Sequence, residues 1–232
     1  MFRQLSALCT ARDKLSGAVG PRRSYTEYMM KIRSFPVVML LATLWLALAG
    51  PAQADRIALS ELSRYFNAFT TAQGGFTQIN ADGTLSTGRI YIHRPGRVRF
   101  EYDPPDRSLV MAGGSTVAVF DARSNQGPAQ YPLSRTPLNL ILTRNVDFTR
   151  DRMVVQHTND ELTTSVTAQD PEHPEYGNIR LVFSENPTEL RQWVVTDDMG
   201  RETTVILNDL QFGMDLSAGL FNIVAETDQR RR

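Results

Sequence analysis

From residue 76 onward, apolar side chains tend to recur at every second position, in short runs broken by glycine, asparagine, aspartate or proline. Successive side chains of a strand point to opposite faces, so this period describes half-buried strands and not helices. Residues 76–80 and 85–94 flank Asp82-Gly83, a pair suited to a tight hairpin, and 97–103 follows the Pro95-Gly96 turn. Further strands are expected at 108–111, 116–121, 153–157, 162–168, 179–184, 192–196 and 202–207. No alternation of strands with crossover helices is visible. Many short antiparallel strands at regular intervals predict a mainly β fold with short helices, a meandering sheet that curls toward a barrel.

Two segments depart from that period. Leu59, Leu62, Phe66 and Phe69 recur at three- and four-residue steps beside Ser60 and Glu61, which predicts an amphipathic helix stopping near Gly74-Gly75. Between 125 and 145 the strand pattern fails. There Thr136-Pro137 opens a short apolar helical turn with Leu138, Leu140, Ile141 and Leu142 that ends near Asn145. A curled sheet that its own side chains do not fill leaves an apolar hollow, which two short helices can cover as a lid. Periodicity alone favours the plainer arrangement, a core helix packed on an open sheet.

Alternation singles out one residue. Ile90, Ile92 and Arg94 share a face, with Arg89, Tyr91 and His93 on the other; on the next strand Val98, Phe100 and Tyr102 continue the apolar face opposite Arg97, Arg99 and Glu101. Arg94 therefore ends an apolar stripe. Beside the Pro95-Gly96 turn, geometry favours a rim residue whose head reaches water. The other reading is a latch: guanidinium offers five donors, keeps its charge, and can tie several backbone carbonyls of a covering element together.

The N-terminal part reads as an export signal. Lys31 and Arg33 precede an apolar run over 35–49, followed by Gly50-Pro51-Ala52-Gln53-Ala54, whose small residues suit a signal peptidase. The run is shorter than the roughly 20 residues a membrane-crossing helix needs, so cleavage after Ala54 is expected rather than anchoring. Residues 1–28 are then an extension ahead of the true start at Met29 or Met30, 29–54 the signal peptide, 55–225 one domain and 226–232 a tail. Cys9, the one cysteine, lies in the extension, so neither disulfides nor thiolate chemistry is available to the rest. From Asp55 the chain carries 18 arginines against 23 carboxylates, a net charge of −5 that argues against a nucleic-acid partner.

Catalytic patterns are missing. There is no G-x-S-x-G elbow, H-E-x-x-H pair, phosphate loop or dinucleotide fingerprint. Ser115 after Gly113-Gly114 reads as a hairpin turn. His93, His157 and His173 lie on separate elements without metal-ligand spacing, and Asp160-Glu161 and Asp197-Asp198 sit in turns. No catalytic residue, metal or cofactor is expected.

The stretch F-T-T-A-Q-G-G-F-T-Q at 69–78, residues 88–103 with His93-Arg94-Pro95, and Thr136-Pro137-Leu138 through Arg144-Asn145 together resemble the LolA family of outer-membrane lipoprotein carriers. The resemblance runs in order over essentially 55–225. It implies an incomplete, half-open antiparallel β-barrel of about eleven strands under a helical lid, with Arg94 matching the strand-end arginine that holds the family's lid closed. It also implies a monomeric periplasmic chaperone for acylated lipoproteins, loaded by an ATP-driven inner-membrane transporter and unloaded at an outer-membrane lipoprotein receptor. The expected acyl-chain lining is Ile90, Ile92, Val98, Phe100 and Tyr102, with Leu138, Ile141 and Leu142 from the lid. Two departures stand out: Val98 replaces a larger aromatic, and Leu220-Phe221-Asn222-Ile223 lacks the family's F-x-P-P-x-G wording. The alternatives are a same-fold periplasmic carrier or sensor of another hydrophobic ligand, and a hydrolase with an unrecognised site.

Overall fold

The structure, a computed structural model, describes residues 56–124, 126–150 and 152–231; the expected extension and signal peptide lie outside the described residues. Eleven strands form one antiparallel sheet: β1 (Thr71–Ile79), β2 (Leu85–His93), β3 (Arg97–Tyr102), β4 (Leu109–Gly113), β5 (Thr116–Phe120), β6 (Ala129–Pro132), β7 (Val154–Asn159), β8 (Thr163–Gln169), β9 (Asn178–Ser184), β10 (Glu189–Thr196) and β11 (Glu202–Phe212). Their order is β6-β5-β4-β3-β2-β1-β11-β10-β9-β8-β7. Two meanders are thus joined where β1 pairs with β11, and β6 and β7 are left as free edges.

The sheet curls strongly. Phe100 on β3 and Trp193 on β10 have ring centroids 6.3 Å apart. Four strand-to-strand steps separate them, which in a flat sheet would put them roughly 19 Å apart. The inner face carries Phe76, Ile90, Ile92, Val98 and Phe100 from one meander and Val166, Ile179, Leu181, Phe183 and Trp193 from the other, all buried in one cluster.

Helix α1 (Leu59–Asn67) lays Leu62 and Phe66 into that interior, burial worth about 2–3 kcal/mol for each side chain. Tyr65 and Phe66 meet Phe183 edge to face, at 5.6 and 6.1 Å. The helix entrance is fixed to the sheet because Ile57 N donates to Thr164 Oγ1 on β8 at 3.1 Å. A second short helix, α2 (Asn139–Leu142), lies in the connection between the two edge strands and buries Ile141 and Leu142 in the same cluster.

Two expectations need correction. The Gly74-Gly75 pair does not stop α1; it lies within β1, at a register shift opposite β11. A Cβ on Gly74 would stand 2.7 Å from the Asn208 carbonyl oxygen, so the close approach of β11, not a helix end, requires the glycine. The segment expected to lack strands contains β6, whose four residues are all exposed and so show no alternation.

At the C-terminus a third helix, α3 (Ile223–Arg230), takes in residues 226–230 of the expected tail. It covers an apolar patch on the sheet's outer face made of Leu109, Met111, Ala118 and Phe120, against which Ile223 packs. Arg99 of β3 pins it, donating to Leu220 O at 3.1 Å and Glu226 Oε2 at 3.0 Å, while Arg230 bonds Glu226 at 2.8 Å.

Candidate functional site

Strand β2 delivers Arg94 to the seam between the sheet and its covering elements. Its side chain is buried, 4 % exposed, although it adjoins a turn. Backbone bonds hold that turn from both sides: Arg94 N donates to Thr70 O and Gly96 N to Leu142 O, each at 2.8 Å. The guanidinium donates to Thr143 O from Nε at 3.0 Å and from Nη2 at 2.8 Å, and to Arg144 O at 3.1 Å. Its other edge donates to Phe66 O, Phe69 O and Asn67 Oδ1 at the exit of α1. One cation therefore joins the C-terminal end of α1 to the segment after α2. Every acceptor is a carbonyl oxygen, and among the described residues no carboxylate pairs with it. Burial pulls its pKa down from the usual arginine value, yet guanidinium remains charged.

Two further polar side chains stitch the same seam. Asn67 donates to Val146 O at 2.8 Å and accepts from Val146 N at 3.0 Å, copying a backbone-to-backbone bridge with its amide. Ser63 accepts from Phe148 N at 2.9 Å and donates to Leu59 O at 2.8 Å. Neither was a candidate from sequence. A serine or asparagine between apolar helix positions reads as solvent-facing, and no spacing marks a bond across about eighty residues.

Beyond these contacts the interior holds a cavity of about 620 Å³. Phe100, Tyr102 and Leu138 from the sequence-derived set line it, together with Trp193, Val195 and Val205 from the other meander. The remaining candidates, Ile90, Ile92 and Val98 on the sheet and Ile141 and Leu142 on α2, are not on its wall; they are packed together in the core between sheet and covering helices. The Tyr102 phenol donates to Gln78 Oε1 at 2.7 Å, and burial pushes its pKa up to about 12, so it presents a neutral group to the cavity. Hollows of about 550 Å³ on the outer side include one lined by Gln73, Arg89, Asp103 and Gln211, a surface unsuited to hydrocarbon.

Among the described residues no three metal-ligating side chains gather, and no helix is long and apolar enough to cross a membrane. Residues 67–224 match the family described as outer membrane lipoprotein carrier protein LolA. The chain belongs to the LolA family. Relatives named outer-membrane lipoprotein carrier protein include one from Coxiella burnetii, 27% identical over 80% of this chain and 91% of its own length. Another, from Azotobacter vinelandii, is 24% identical over 80% and 92%. A solved LolA superfamily structure from Nitrosomonas europaea aligns at 12% identity over 72% of this chain and 98% of its own, with a TM-score of 0.39. The LolA match takes in Asn67, Arg94 and the whole cavity wall, and leaves the rest of α1 and most of α3 outside.

Proposed function

We propose that the chain is a periplasmic chaperone that carries lipoproteins by taking their acyl chains between the inner face of the sheet and a lid formed by α1 and residues 133–148. The observation that carries this reading is Arg94, a buried cation bonded to carbonyls of two covering elements and to no carboxylate. A permanent seam would be made more cheaply from apolar contacts, because a buried charge costs several kcal/mol to desolvate. A seam of hydrogen bonds can be exchanged for water when the lid lifts.

Transfer energetics call for such a carrier. Acyl burial contributes about 0.8 kcal/mol per CH₂, so two or three long chains face tens of kcal/mol on leaving a membrane unaided. When the lid opens, Ile90, Ile92, Val98, Ile141 and Leu142 join Phe100, Tyr102 and Leu138 as the lining. The chains replace the apolar lid contacts that opening gives up. Loading energy comes from an ATP-driven inner-membrane transporter, and unloading occurs at an outer-membrane lipoprotein receptor. The export signal supports the periplasmic site, and the names of the relatives support lipoprotein cargo and a carrier role.

The test is capture of cargo by the protein isolated from periplasm. A triacylated lipoprotein is expected to bind at one per chain without being altered, and its unacylated form not to bind. Equal binding of both would place recognition on the protein surface; turnover would favour a hydrolase.

A further inference from the structure

The 620 Å³ cavity is open while the Arg94 seam is made, and no residue of α1 lines it. Its size limits what fits. A methylene takes about the room of a water molecule, about 30 Å³, so one chain of about sixteen carbons needs roughly 500 Å³. A second chain would need the space filled by the packed lid residues. The closed form thus has room for one acyl chain, whereas the cargo proposed above brings two or three.

The mouth says what head such a chain carries. Arg135, Asp197, Asp198 and Arg201 all border the cavity. Asp197 and Arg201 satisfy each other at 2.8 Å. Arg135 and Asp198 have no hydrogen bond or ion pair from their side chains among the described residues, and they lie on different elements: Arg135 follows β6, and Asp198 sits in the β10–β11 turn. One uncommitted cation and one uncommitted carboxylate at a shared apolar mouth match a headgroup that carries both signs. Guanidinium suits phosphate oxygens, which it meets with two parallel donors, and the carboxylate suits an ammonium.

We propose that the latched form binds one molecule of a single-chain zwitterionic lipid, a lysophospholipid with an ammonium head, its chain beside Trp193 and its head between Arg135 and Asp198. This rests on the reading of the interior as an acyl-chain site and adds a ligand class that enters without lid opening. Lysophospholipid would then compete with lipoprotein loading, because both need the same wall.

Trp193 supplies the readout. The chain has two tryptophans; Trp45 lies in the expected signal peptide, so the periplasmic form from Asp55 keeps only Trp193, on the cavity wall. Protein isolated from periplasm, its N-terminus verified by intact mass, is titrated with sixteen-carbon lysophosphatidylethanolamine below its micelle concentration, following tryptophan emission. Saturation at one per chain is expected, about tenfold tighter than for a monoacylglycerol of equal chain length, which lacks both charges. Arg135→Ala and Asp198→Ala should each weaken the zwitterion about three- to tenfold and leave the monoacylglycerol unchanged. Both sites are exposed, so these variants should fold. Equal affinity for the two lipids, insensitivity to both substitutions, or tighter binding of palmitate than of the zwitterion would each overturn the proposal. Lipoprotein capture on the same samples separates the two readings: capture without lysolipid binding sinks this inference alone, and loss of both sinks the acyl-chain site itself.

Discussion

Replacing Arg94 by leucine tests the seam directly. Four of its contacts carry the seam: two to Thr143 O, one to Arg144 O and one to Phe66 O. At about 1.5–3 kcal/mol for each charge-assisted bond, the gross contribution is roughly 6–12 kcal/mol. Desolvating a guanidinium with no carboxylate beside it removes several kcal/mol of this. A net of about 3 kcal/mol for lid closure is a reasonable centre, equivalent to roughly a hundredfold in the ratio of closed to open. A resting lid about 1% open would become about half open. Hydrogen exchange reads this at three amides that bridge the seam, Gly96, Val146 and Phe148. Their exchange should speed up about fiftyfold, in proportion to the open fraction, in Arg94→Leu while amides of β9 and β10 keep their protection. Arg94→Lys should fall between, since one ammonium cannot reproduce the planar fork. Loading should survive and delivery from preloaded carrier to outer membranes should slow, because lid closure no longer competes with the ligand. Unchanged exchange at all three amides together with unchanged delivery would refute the latch.

Other expectations follow from single observations. The small-residue pattern at Ala52-Gln53-Ala54 predicts a periplasmic form beginning at Asp55, and an intact mass that retains residues 35–49 would remove the basis for a freely diffusing carrier. Asn67→Ala leaves both Val146 backbone groups without their bridge and should cost about 1–3 kcal/mol in urea unfolding; Asn67→Asp keeps the acceptor and should cost less. Burial alone would raise the pKa of Glu226, but hydrogen bonds from Arg230 and Arg99 outweigh it and hold it below its ordinary value near 4.5. A depressed carboxyl stabilises above its unfolded value and loses that contribution as pH falls through the folded one, so α3 should detach in acid at a pH below about 4.5, seen as proteolysis near Arg230. Glu226→Gln should remove that pH dependence.

Much of the fold was legible because one face of most strands is buried and the other wet. The stripe of Ile90, Ile92, Val98 and Phe100 falls on the inner face, and Arg94 continues it into the seam. What alternation favoured for Arg94 was a head in water; the lid backbone that surrounds it comes from residues 66–69 and 143–144, which no local pattern ties to β2. Legibility fails where both faces or neither are covered. Trp193 and Val194 are both buried, so β10 shows no alternation and its share of the cavity wall was not singled out. Helix α3 has little apolar surface of its own and owes its place to Arg99 and an outer patch. Leu109 and Met111 announce that patch only as strand residues on the wrong face.

The balance of apolar and polar contacts across the seam explains why a carrier of this kind uses a buried arginine. In the proposed mechanism the contacts of Leu62, Phe66, Ile141 and Leu142 with the sheet are exchanged for similar contacts with acyl chains when cargo enters, so they would contribute little to the difference between empty and loaded states. A lid held by them alone would barely distinguish the two. The bonds of Arg94, Asn67 and Ser63 have no counterpart in an acyl chain. In the proposed mechanism they are made in the closed state and given up in the open one, and so would set how strongly closure pulls against the ligand. That pull has to stay small enough for a transporter to overcome and large enough for a receptor to use, which a few hydrogen bonds at about 1–3 kcal/mol each can satisfy. Strengthening the seam should therefore impair loading, weakening it should impair delivery, and substitutions confined to the apolar contacts should change stability more than either.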